Sequence, residues 1–219
     1  MGYDTESVLP PLRIAGAGGH AKVVVEALKN RNPDRLLVVS DDRALAGAMT
    51  LQALPVVAPL LSPPVPLGQA IHVALGRNRL RQKISLEAEG LGFALESITH
   101  PAACIAATAS VGPGTLVAAR AVVGPDARVG RGCIVNHGAI VDHDCSVGDW
   151  VHISPGVVLG GEVIVEEGAL VGAGAIVLPG RRIGAWAVVG AGAVVTNDVG
   201  ENNCVVGVPA KIMCRVNDE

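Results

Sequence analysis

Three of the six histidines fall close together, at positions 137, 143 and 152. His143 stands between Asp142 and Asp144. An imidazole with an ordinary pKa of about 6.5 beside a carboxylate is suited to general-base work. The plain alternative is a solvated His–Asp pair. Gly161 follows His143 by 18 residues and adjoins Gly160. Its backbone N–H would support a carbonyl oxygen as charge develops, if the chain stacks with that period. Otherwise it is a corner glycine. In the first hundred residues, Gly16-Ala17-Gly18-Gly19-His20-Ala21 has the GxGxxA spacing that lets phosphate approach backbone N–H groups at a helix start. Asp41 and Asp42 follow about 20 residues later, placed to accept hydrogen bonds from a ribose or base. The surrounding segment is too short for a full dinucleotide fold, so one nucleotide is the better fit, with Lys22 adding charge. The run Gly76-Arg77-Asn78-Arg79-Leu80-Arg81 offers more donors for phosphate or base, or only a polar helix start.

Elements with two different grammars must hold these residues. Residues 1–98 read as a small α/β domain. Strands are expected at Leu12–Ala15, Leu36–Val39, near Val56 and at Ile71–Leu75, and helices at Ala21–Lys29 and Asn78–Glu89, over a parallel sheet. The proline-rich stretch 53–68 reads as an irregular connection. Residues 99–219 change pattern. An aliphatic residue recurs at every sixth position from Ile105 to Val195, sixteen times without a slip. A period of six fits neither helix nor flat strand. It fits a solenoid whose triangular coil takes three hexads, so that residues 18 apart stack. Alanine commonly precedes the aliphatic residue by two, where the wall bends inward, and glycine commonly follows it by one, where a corner is expected. Each buried aliphatic side chain contributes about 1.5–3 kcal/mol, so this core forms without aromatic residues.

Composition agrees. Half the residues are hydrophobic but only 2% are aromatic. A net charge of -3 gives no electrostatic reason to bind nucleic acid or an anionic membrane. The five cysteines form no CxxC pair and read as reduced, mostly buried thiols. The first residues, MGYDTESVLPPLR, lack a signal-peptide pattern, and Glu6 stands where a myristoylation motif places Ser or Thr. A cytoplasmic protein without a membrane segment is expected.

The segments GAGGHAK, SDD, GRNRLRQK, VDHDC, VHIS and GVPAK, in that order, resemble the PglD/NeuD group of bacterial nucleotide-sugar acetyltransferases over nearly the whole chain. That group includes bacillosamine-pathway and perosamine N-acetyltransferases and sialic acid O-acetyltransferases. The resemblance implies a left-handed parallel β-helix, an exception to the usual crossover hand. It implies a homotrimer with acetyl-CoA bound between neighbouring prisms as co-substrate. It implies His143 as base and Asp144 as the acid that orients it. His152, Gly161 and Lys211 fall on the acetyl-CoA side, with Lys211 near CoA phosphates in the GVPAK loop. Gly18, His20, Lys22, Asp41 or Asp42, and Asn136 fall on the nucleotide-sugar side. The implied activity is direct N-acetylation of a UDP- or GDP-linked 4-amino-deoxy sugar for bacterial glycan synthesis. O-acetylation of a sugar hydroxyl and a non-catalytic nucleotide-sugar scaffold are the alternatives. Some hexapeptide proteins are zinc hydratases with three histidine ligands. The gaps of six and nine residues between His137, His143 and His152 do not match their spacing, and no metal is expected.

Overall fold

The computed structural model describes residues 10–62 and 68–216. The signal-peptide reading therefore rests largely on residues outside the described ones, as does part of the 53–68 connection. The α/β domain runs β1 (Leu12–Ala15), α1 (Gly19–Arg31), β2 (Leu37–Ser40), β3 (Thr50–Leu51), β4 (Leu54–Val57), β5 (Ala70–Val73), α2 (Asn78–Gly90) and β6 (Ala94–Leu95). The sheet order is β3-β4-β2-β1-β5-β6, parallel except for the β3–β4 hairpin. The aliphatic side chains of β1 and α1 close one core: Leu12 and Ile14 pack with Ala21, Val24 and Leu28. Gly16 leaves β1 at φ 110, and a Cβ there would stand 2.9 Å from Leu75 Cδ2, so the turn toward α1 requires glycine.

From Ile98 to Val195 every hexad forms a two-residue strand, and through Ile176–Val177 each strand pairs in parallel with the one 18 residues on: Val123 with Val141, Val135 with Ile153, Val141 with Leu159. The last coil is shorter, with Val189 pairing Val205. Three flat sheets result, forming the faces of a prism. The aliphatic residues from Val117 to Val195 point inward and are buried, with the alanines that precede them. Ile105 and Val111, in the first full coil, are only partly buried. The first face carries the strands Ile98–Thr99, Leu116–Val117, Ile134–Val135, His152–Ile153, Leu170–Val171 and Val188–Val189. The α/β domain lies on it, because the outward Ile98, Leu116 and Ile134 join the core of β1 and α1.

The glycine reading needs one correction. Glycines directly after the inward residue are not in the left-handed region. That region falls two residues later, at Gly114, Arg120, Asp126, Gly132, Gly138, Asp144, Trp150 and onward every sixth position. The earlier glycines serve close packing between coils. A Cβ on Gly124 would lie 2.8 Å from the backbone nitrogen of His143. The corner itself accepts Asp, Trp, Glu or Arg as well as Gly.

This separates two kinds of glycine experimentally. Gly124→Ala is expected to cost about 1–3 kcal/mol by overpacking. Gly156→Asn, at φ 68 with open space around a Cβ, is expected to be nearly neutral, since Asn tolerates the left-handed region. Denaturant midpoints of the two variants check this, and equal losses would contradict it.

Candidate active site

His143 sits on the corner between the second face, with Ile140–Val141, and the third, with Ser146–Val147. Its Nδ1 lies 2.8 Å from Asp144 Oδ2, and both side chains are about half exposed. Asp144 reaches back because its backbone is left-handed, at φ 59. With Nδ1–H donating to Asp144, Nε2 is left as the basic nitrogen. The stacked coil places Gly161 directly against the ring: a Cβ there would lie 2.4 Å from His143 Nε2 and Cε1. Gly161 is therefore required by the imidazole rather than by the corner. The inter-coil ladder uses the N–H of Gly160 and of Glu162 but not that of Gly161. Among the described residues that amide has no protein acceptor, which is the requirement for an oxyanion donor. The hydrogen bond to Asp144, then the charges of Asp142, Asp144 and Glu162, raise the pKa of His143. Glu162 was not singled out from the sequence. The 18-residue stacking that carries Asp144 onto it is the signal that finds it.

A second cluster lies on the first face, in the cleft under the α/β domain. The His20 and His152 ring centroids are 6.4 Å apart. Asn136 Nδ2 lies 3.2 Å from His152 Nε2, and Gly76 lines the same cavity as His152. His20 Nε2 is buried without a protein partner. His20 lies in the first turn of α1, whose N-terminus has no side-chain cap, and Gly18 and Gly19 have open space above them. Uncapped N–H groups beside an unpartnered imidazole suit a phosphorylated ligand. His72, on β5 beneath them, was missed by the sequence reading. Strand alternation is the only signal for it. Its Nδ1 donates to the Glu96 carbonyl at 2.9 Å. Burial first, then the neighbouring rings of His72 and His152 and the charge of Arg81, push His20 to about 3; burial, then Arg81, push His152 to about 4. His72 also falls to about 4, chiefly through burial.

The acidic doublet divides its work. Asp41 accepts from the Ala17 N–H at 2.8 Å and from the Arg43 backbone and guanidinium, which hold its carboxyl down at about 2. It pins the glycine-rich turn. Asp42 accepts from the Leu60 N–H through Oδ1 at 2.7 Å and is otherwise exposed. Lys22 is exposed on α1. Lys211 lies far along the prism, at a recess of about 410 Å³ with Asn197, Asp198 and Val205. The Gly76–Arg81 run is not a uniform set of ligand donors: Arg81 is buried and donates only to protein oxygens. Arg77 and Arg79 line a cavity of about 650 Å³ with His152, Leu170 and Trp186. Among the described residues, no group of three or more His, Cys, Asp or Glu is placed to hold a metal ion, and no helix is long and apolar enough to cross a membrane.

Residues 11–88 match the PglD N-terminal domain family, and residues 95–185 match the GMPPB C-terminal domain family. The acetyltransferase domain of PglB from Neisseria gonorrhoeae is 37% identical, with a TM-score of 0.86 over 94% of this chain and 100% of that one. The chain belongs to the PglD/NeuD-type sugar acetyltransferases. PerB from Caulobacter crescentus, solved with CoA and GDP-perosamine, is 38% identical over 95% of this chain and 99% of its own, at a TM-score of 0.86. WeeI from Acinetobacter baumannii is 27% identical with the same TM-score, over 94% of this chain and all of its own. A comparison with curated proteins gave no match. The protein is thus an acetyltransferase of hexapeptide-repeat fold.

Two pH effects follow for this acetyltransferase. The sequence expectation of His143 as base is tested by pH: a base must be neutral, so that role predicts that kcat/KM falls as pH drops through the raised pKa of His143, above the ordinary value of 6.5. Asp144→Asn removes the largest cause of the raise and should move that acid limb to lower pH. A limb that stays in place contradicts the pairing. Separately, His20, His72 and His152 are depressed in the fold to between about 3 and 4, below the 6.5 of an unfolded chain. Their stabilisation is complete above pH 6.5 and lost as pH falls toward 4. The melting temperature should therefore drop steadily from pH 7 to pH 5, and the drop should shrink in His72→Gln.

Proposed function

We propose that this acetyltransferase moves an acetyl group from acetyl-CoA to the amine of a nucleotide-linked amino sugar, as an N-acetyltransferase of bacterial glycan synthesis in the cytoplasm. The observation that carries the reading is the His143–Asp144 pair with its ring seated against Gly161. Relatives support the substrate class: PerB was solved with CoA and GDP-perosamine. When bound, acetyl-CoA supplies an activated thioester carbonyl. The acceptor nitrogen attacks that carbonyl while His143 Nε2 takes its proton; as the C–S bond breaks, the imidazolium returns the proton to the departing CoA sulfur. Asp144 holds the Nδ1–H and stabilises the resulting imidazolium. The Gly161 N–H is the donor available for negative charge on oxygen. No side chain needs to carry the acetyl group.

The two halves of the site sit on different sides of one prism: His143 on the corner of the second and third faces, the nucleotide cleft on the first. A neighbouring copy completes the site, in a homotrimer. The second face supports this. Its outward residues are Cys104, Val122, Ile140, Val158, Ile176 and Val194, an apolar ladder, while the third face shows Ser110, Arg128, Ser146, Ile164 and Arg182. Residues 1–98 serve as the nucleotide-sugar domain, with Gly18, His20, Lys22 and Asn136 toward the ligand. Asp42, which keeps an oxygen exposed, meets the base or ribose, while Asp41 shapes the turn. Residues 99–219 form the catalytic coil domain. Lys211 lies about four coils beyond His143, roughly 19 Å at one strand spacing per coil, and pairs there with CoA phosphate. His152 lies between the two ligands.

Thiol release from acetyl-CoA, measured with UDP- and GDP-linked 4-amino sugars and with hydroxyl sugars side by side, tests the reading. Turnover with one nucleotide-linked amine is expected, falling about 10²–10⁴-fold in His143→Ala. Turnover only with hydroxyl acceptors would make it an O-acetyltransferase. None with any acceptor would leave a nucleotide-sugar scaffold.

A further inference from the structure

In a hexapeptide coil, the left-handed corner residue donates its N–H to the previous coil, as Trp150 does to the Arg131 carbonyl at 2.9 Å and Gly168 to Asp149 at 2.8 Å. Among the described residues, no coil-to-coil backbone hydrogen bond ends on the carbonyls of Gly132, Trp150 or Gly168. On a bare corner, water satisfies such groups. Here three successive corners lie under α2, where unpaired carbonyls would be costly. Arg81 and Asn78, three residues apart on one face of α2, meet all three. Arg81 Nε donates to Gly132 O at 2.7 Å and Nη2 to Trp150 O at 2.8 Å. Asn78 Nδ2 donates to Gly168 O at 3.0 Å and to Ala169 O at 3.1 Å. Arg81 Nη1 also donates to Leu75 O and Gly76 O, at 3.0 and 3.2 Å, and Nη2 to Asn78 Oδ1 at 3.0 Å. Arg81 is 1% exposed, and burial lowers its pKa only to about 10, so it keeps its charge at neutral pH.

The loop these bonds hold is part of the ligand cleft. Gly76 and His152 line one cavity, and Leu75 abuts Gly16 in the glycine-rich turn. We propose that Arg81 and Asn78 are positioning residues: by capping the three unused corner carbonyls they set where the nucleotide-binding turn stands over the coils, and so where the acceptor amine meets His143. This rests on the nucleotide-sugar reading above. It predicts an effect on reaction of a carried acceptor that an effect on folding does not produce. An amine without a nucleotide is not delivered by the α/β domain and does not depend on that register.

The test compares the wild-type enzyme with Arg81→Lys and the milder Asn78→Ala, using the nucleotide-linked amino sugar and the same amino sugar without its carrier. Nucleotide affinity is measured alongside by calorimetry. For the carried acceptor kcat should fall up to about 10²-fold, the scale of a 1 Å misplacement. Nucleotide affinity and the rate with the free amino sugar should hold. Equal losses with both acceptors, or no loss with either in both variants, would overturn the proposal. Amide exchange on the same proteins gives an independent readout. Residues 75–81 should exchange faster in Asn78→Ala while the coils stay protected. Unchanged exchange there also overturns it. If the wild-type enzyme acetylates no nucleotide-linked amine, the functional reading fails instead, and the exchange result decides whether the two residues hold the domain.

Discussion

The 18-residue register of the coil ladder is the constraint on which the rest of the protein depends. Each strand is only two residues long, and no single hexad buries enough apolar surface to hold its shape. Stacking supplies both the hydrogen bonds and the core, because every inward Val, Ile or Leu rests on another one coil away. The register also builds the chemistry. It puts Gly161 under the ring of His143, brings Glu162 near the same imidazole, and spaces three corner carbonyls to meet one face of α2. A slip of one residue would invert the faces and separate all three arrangements.

Solvent divides the histidines into two roles. His143 is exposed and flanked by carboxylates, so its charged form is favoured and its basicity rises. His20, His72 and His152 lie in the seam between the domains, where burial and the nearby Arg81 favour the neutral ring. Neutral imidazoles can donate and accept within the cleft without opposing the buried Arg81. A protein with only two tryptophans places both at one corner of the prism. The ring of Trp150 fills the space left by Gly132, that of Trp186 the space left by Gly168, and an arginine lies over each. Bulk and glycine alternate coil by coil, as close packing requires.

The sequence carried much of this. The period of six located the inward residues, and the coil length of 18 predicted that Gly161 would stack on His143. The βαβ elements were legible within a few residues, as were the glycine-rich turn and the acidic doublet. Two things were not legible. The glycine after each inward residue was read as the corner, because glycine usually marks a positive φ. The corner lies two residues further on and tolerates Asp144, Trp150 and Glu162, while the earlier glycine makes room for the next coil's backbone. The basic run at Gly76–Arg81 was read as a set of ligand donors or a polar helix start, since nothing local says which arginine will be buried.

By itself, then, the sequence determined the coil, its core and the stacking of Gly161 on His143, because a repeat maps spacing directly onto space. Only the tertiary structure decided how the α/β domain lies on the prism. That choice makes Asp41 a brace for the glycine-rich turn, turns Arg81 from a surface cation into the seam's donor, and gathers His20, Asn136 and His152 in one cleft. These contacts join residues that are unrelated in sequence. They are set by which apolar faces meet and which buried polar groups must then find partners.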